Sequence, residues 1–184
     1  MIYTDNRQMY FVYPLLLLVS VYGLVWLAQK LRGITRFWQL GLALIIAAGL
    51  ASPVYFMLRY HPNEEVYFNF LAGPSMAAIK EKFPVYAWGV SDSKALQYIL
   101  ETDHSKVIKV QIYDTPARSS WLLPPSQYKR LDFFVNDPQK EFGTYYILTV
   151  YRFYPQQQVT KGKVFYSVRI GNTDICTVYK VENN

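Results

Sequence analysis

Two short stretches of this 184-residue chain combine a cation with a second polar group and aromatic rings. The first holds Asp5 and Arg7 beside Tyr3 and Tyr10. The second holds Arg59 and His61, with Tyr67, Phe68 and Asn69 close behind. A guanidinium grips a phosphate through two parallel hydrogen bonds. An imidazole adds a donor, and aromatic rings suit the boundary between hydrocarbon and water. Arg7, Arg59 and His61 therefore form a candidate site for a lipid phosphate. Asp5, Tyr10, Tyr67, Phe68, Asn69 and Trp88 stand as its rim. The same charges, placed at the ends of apolar runs, also read as interface residues that snorkel to water. Both readings stay open on the sequence.

Other catalytic patterns are missing from the sequence. It contains no glycine-rich phosphate loop and no G-x-S-x-G elbow. His104 stands beside Asp103 and Ser105, but turn neighbours do not face one another as a triad must. Asp92, Asp114, Asp132 and Asp137 fall where carboxylates cap helices and turn the chain. No catalytic residue and no metal ligand is assigned. The single cysteine, Cys176, lies in an alternating apolar segment and reads as a packed thiol, so no internal disulfide is expected.

The elements that position the two charged stretches are apolar. Residues 1–8 are polar. Residues 9–28 and 37–58 carry no charge, and each is long enough to cross a bilayer as a helix, which takes about 20 residues. Residues 29–36 between them hold Lys30, Arg32 and Arg36 and no acid. Cations in a short loop mark the cytoplasmic side. The expected architecture is a transmembrane helical hairpin over 9–58, with both termini extracytoplasmic. Residues 59–71 are an interfacial connector. Gly41, Ala43, Ala47, Ala48, Gly49, Ala51 and Ser52 give the second span a small-residue surface suited to close helix contact in lipid, and Pro53 is expected to kink it.

Residues 72–184 read as a small extracytoplasmic α/β domain. Pro74 and Ser75 open a short helix ending near Phe83. Ser91 or Asp92 starts a second helix, reaching Thr102, with Ala95, Leu96, Ile99 and Leu100 on one face. Alternation and β-branching predict strands over 106–113, 131–135 and 144–153, the last central. A helical turn is expected over 126–130. The segments 164–170 and 175–181 flank Gly171–Asn172, a turn pair that predicts a closing antiparallel β-hairpin.

The net charge of +6 is scattered rather than gathered in one tract, which argues against a nucleic-acid partner. The aromatic share of 17%, mostly Tyr, suits sheet faces and interfaces.

Several segments also carry a resemblance. IYTDNRQMYFVYPLLLLVSVYGL, through Asp5, Arg7, Phe11 and Pro14, resembles a late segment of bacterial GT-C superfamily glycosyltransferases, the membrane enzymes related to protein mannosyltransferases. RYHPNEEVYFNFLAG, through His61, Pro62, Tyr67, Phe68 and Asn69, is similar to the stretch after the last membrane helix in one branch of them. YAWGVSDSKALQYI, through Trp88 and Gly89, and the closing VFYSVRIGNTDICTVYKV resemble their C-terminal ends. The resemblance covers nearly the whole chain but only the C-terminal part of such an enzyme. It implies inverting transfer of a sugar from a polyprenyl-phosphate donor on the extracytoplasmic face of a bacterial plasma membrane. The catalytic acid of those enzymes sits in an early outward loop that has no counterpart here. The chain is therefore expected to be inactive alone, as a fragment or a separately encoded half. Further transmembrane helices, in the same or a partner chain, are then expected beside the bilayer and the polyprenyl-phosphate lipid. No cofactor is expected in this chain. The alternative is a non-enzymatic, membrane-anchored module for binding or assembly.

Overall fold

The structure is a computed structural model that describes residues 12–31, 36–85, 90–113, 122–135 and 143–182. Two long helices come first: α1 (Val12–Leu31) and α2 (Arg36–Tyr60). Both are long and apolar enough to cross a membrane, over Val12–Lys30 and Phe37–Tyr60. Their apolar side chains are displayed outward, Leu18 at 65% and Ile45 at 71% exposure among them. A Leu or Ile left in water forgoes roughly 1.5–3 kcal/mol of burial, so these surfaces are suited to a solvent other than water. Ser20 Oγ donates to the Leu16 carbonyl at 2.8 Å, one turn back. The Lys30 ammonium lies over the Trp26 ring, 5.7 Å from its centre.

The chain divides into two compact units at Ser52/Pro53. The last two turns of α2 thus belong to the α/β unit. Phe56 and Tyr60 pack against its core, with ring centroids 4.8 Å apart. The helix runs on through Pro53.

The α/β unit continues with a single 3-10 turn (Glu64–Val66) and α3 (Met76–Lys82). Ser75 caps α3, its side chain accepting the Ala78 N–H at 3.3 Å. Then come α4 (Val90–Thr102), β1 (Ile108–Ile112), α5 (Pro125–Tyr128), β2 (Leu131–Val135), β3 (Thr144–Thr149), β4 (Lys163–Ile170) and β5 (Thr173–Glu182). The five strands form one sheet in the order β2-β1-β3-β5-β4. β1 runs parallel to β2 and to β3, whereas β5 is antiparallel to both β3 and β4.

β3 is central, as its apolar run predicts, and is buried on both faces. Tyr146, Leu148 and Val150 face the main core, with Leu96, Ile99, Val110, Val168 and Val178. Tyr145 and Ile147 face a smaller cluster with Val181, Phe134 and Val159. β3 stops at Thr149, short of the expected Phe153. Thr149 Oγ1 accepts the Tyr151 N–H at 3.2 Å, and Tyr151 turns to a φ of 59°. That left-handed conformation ends the ladder. Ser91 and Asp92 both lie buried inside the first turn of α4, as its second and third residues rather than its cap.

The two ends of the sheet are closed differently. At the end where β1 begins, Arg130 braces the C-terminus of α4. Its Nη1 donates to the Leu100 carbonyl at 3.2 Å, its Nη2 to those of Asp103 and Ser105, and its Nε to Ser105 at 3.2 Å. A cation at a helix C-terminus also suits the helix dipole. At the opposite end, the β4–β5 turn lies by Tyr60. A Cβ added at Gly171 would sit 4.0 Å from the Tyr60 hydroxyl.

Gly171 and Gly162 both have positive φ, 58° and 84°, but differ in space. A Cβ on Gly162 would meet the Lys180 carbonyl oxygen at 2.7 Å. Gly162→Ala should therefore cost about 3 kcal/mol, strain plus clash, and Gly171→Ala about 1 kcal/mol, strain alone. Denaturant unfolding of the full chain checks the order; equal losses would mean that φ alone decides.

Candidate functional site

Of the residues singled out in the sequence, Asp5, Arg7, Tyr10 and Trp88 lie outside the described residues. The remaining five sit in or next to the connector. Arg59, in the last turn of α2, is exposed. His61 is also exposed, and its Nδ1 is paired with the Glu64 carboxylate, three residues on. Glu64 is held below the usual carboxylate range by its backbone hydrogen bond and by His61. The imidazole is thus oriented by its own chain.

The other three members are partly structural. Within the connector Val66 and Asn63 are buried, and the Asn63 N–H donates to the Tyr60 carbonyl at 2.7 Å. The Tyr67 ring meets Phe56 edge-on at 5.2 Å. Phe68 packs against the core and lies 5.8 Å from Phe83. Asn69 Oδ1 accepts the Leu71 N–H at 3.0 Å. Tyr67 and Phe68 therefore hold the connector against α2 and the core. Within the connector, Arg59 and His61 both face solvent.

A second cluster escaped the sequence reading. Lys80 on α3 is buried, with 8% exposure. Its Nζ donates to the Asp174 carbonyl at 2.7 Å. It lies 3.2 Å from the centre of the Tyr151 ring and 4.5 Å from that of Tyr154. The left-handed turn at Tyr151 is what aims that ring at the amine. The Tyr151 hydroxyl donates to Thr177 Oγ1 at 2.6 Å, which shares a 3.0 Å hydrogen bond with Ser167 Oγ. The Asp174 carboxylate is taken by Arg169, whose Nε lies 2.6 Å from Oδ1.

Burial lowers the Lys80 pKa to about 8, partly opposed by the charge of Asp174. An amine so poised can give up its proton near neutrality. Here, however, the two rings and a carbonyl enclose it, and its chemistry is to clamp α3 onto β5. Nothing in AAIKEK distinguishes this lysine from a solvated one. The β3 segment, likewise, gives no sign that Tyr151 will turn back over α3. Among the described residues no group of His, Cys, Asp or Glu could hold a metal ion.

Comparison with protein-family models, with curated proteins and with solved structures finds no match to this chain. The functional reading therefore rests on the chain's own residues.

Lys80 should imprint itself on stability. The unfolded lysine titrates near 10.5 and the folded one near 8. Between these values the unfolded chain holds more protons, so stability climbs with pH, by at most about 1.4 kcal/mol per unit. Above the ordinary tyrosine value of 10.0 the trend reverses. The Tyr146 and Tyr151 phenols, raised chiefly by burial, stay protonated in the fold while unfolded tyrosines ionise. Thermal unfolding of the full chain from pH 7 to 10 should show the climb, and Lys80→Met should abolish it. A climb that persists in the variant belongs to other groups.

Proposed function

We propose that α1 and α2 form a transmembrane hairpin, turned on the cytoplasmic side, that carries the α/β unit on the extracytoplasmic face of a bacterial plasma membrane. The observation that carries this reading is the double character of α2. Its first part displays apolar side chains in every direction, and its last two turns enter the core of the α/β unit through Phe56 and Tyr60.

Within this frame, we place the chain as the C-terminal part of a membrane glycosyltransferase that uses a polyprenyl-phosphate sugar. Support comes from the order of the resembling motifs and from the exposed Arg59 and oriented His61 beside the end of a membrane-length helix. Arg7 completes the phosphate contact in this proposal, and the catalytic acid lies in further membrane helices. A non-enzymatic anchored module for binding or assembly is the second reading. It is favoured by the Lys80 cluster, whose polar groups are engaged with one another rather than presented to a substrate.

Topology is testable first. Native Cys176 is fully buried and contributes no background. A cysteine at Thr35 should resist an impermeant thiol reagent in whole cells, while one at the exposed His104 should react. The reverse pattern overturns the orientation. The transferase reading predicts that Arg7→Ala, in the protein complete with its membrane core, lowers sugar transfer about a hundredfold or more with the fold intact. Unchanged transfer removes the phosphate role and favours the second reading.

A further inference from the structure

The turn after the connector runs against the usual composition of turns. The Ala72 N–H donates to the Asn69 carbonyl at 3.1 Å, closing a tight turn over Phe70 and Leu71. Turns that meet water take Gly, Pro, Asn, Asp or Ser at such positions. Here Phe70 is 86% exposed and Leu71 is 78% exposed. Their display is not slackness. Phe68 on one side and Ala72 on the other pack against the core, so the turn is gripped at both feet.

Its location follows from the connector. The chain leaves α2 at Tyr60, yet the Tyr67 ring meets Phe56, a full helical turn earlier. The connector therefore doubles back along α2 before it reaches Phe70. The side chains that α2 displays over this same stretch, Val54, Tyr55, Met57 and Leu58, are apolar or aromatic and are each more than half exposed.

We infer that the Phe70–Leu71 turn is a wedge that sinks into the interfacial layer of the bilayer beside α2. The inference rests on the anchored reading above and adds a second point of attachment. Two physical features suit that layer. A large aromatic and a leucine gain there what they lose in water. Backbone donors must also be satisfied internally where water is scarce. Asn69 does this twice, accepting the Leu71 N–H on its side chain and the Ala72 N–H on its carbonyl. No charged residue stands between Tyr67 and Pro74 to oppose entry.

The test uses the full chain in phosphatidylcholine–phosphatidylglycerol vesicles. Leu71→Cys carries an environment-sensitive nitrobenzoxadiazole dye, with Phe70→Cys as a second position. Lipids bearing a nitroxide at a shallow acyl position serve as quenchers. His104→Cys, at the Arg130 end of the sheet, is the water reference, and Ser20→Cys, within α1, is the membrane reference. The wedge predicts blue-shifted emission at 70 and 71 and quenching severalfold above that at 104. Water-like emission at 70 and 71, with Ser20 quenched, overturns the wedge and leaves the anchor standing. Water-like emission at Ser20 overturns the anchor itself. Dyes at 70 and 71 that are shielded from aqueous iodide, yet untouched by the lipid nitroxide, assign the turn to a protein contact and also overturn the wedge.

Discussion

Helix α2 changes its surroundings partway along its length, and the rest of the structure depends on that change. Up to Ser52 its side chains look outward on all sides, a pattern that no aqueous surface favours. From Pro53 the same helix inserts Phe56 and Tyr60 into the core of the α/β unit. The connector is then obliged to return along the helix, since Tyr67 must cover Phe56. That return sets where α3 starts, and α3 delivers Lys80 to the end of β5. Each step is local, but all inherit their position from one continuous helix.

The end of the sheet near Tyr60 is accordingly the busier one. It gathers the connector, the β4–β5 turn, the Arg169–Asp174 pair and the lysine held between two tyrosines. Most of these contacts involve charged or hydroxyl groups with their hydrogen bonds met internally. At the far end, one guanidinium serves several carbonyls at the exit of α4. The contrast is chemical: a cation buried among π-systems and hydroxyls at one end, and a planar fork reading backbone oxygens at the other.

Much of this was legible in the sequence. The two long helices follow from uncharged runs, the strands from alternation, and the central place of β3 from its two-sided apolar character. The short helix behind Ser75 follows from capping chemistry. What escaped were features decided by distant partners. β3 looked longer because Tyr-Arg-Phe continues its aromatic pattern, and only the Thr149 side chain and the turn at Tyr151 stop it. Lys80 drew no notice in the sequence because its cage comes from residues 71 to 94 positions away. His61 was read as a phosphate contact and Tyr67 as a rim residue, each for its type. Their neighbours show them also holding the chain in place.

The order of strands in the sheet differs from their order in the chain. β5 is the last of the five in sequence, yet it lies between β3 and β4 and pairs with both along most of its length. Among the described residues β4 pairs with no other strand. During synthesis, therefore, β1 to β3 can associate early, whereas β4 waits unpaired until β5 folds back onto it and the two dock against β3. The sheet is complete only once its last strand in sequence has been made, and the β5-facing edge of β3 stays open until then.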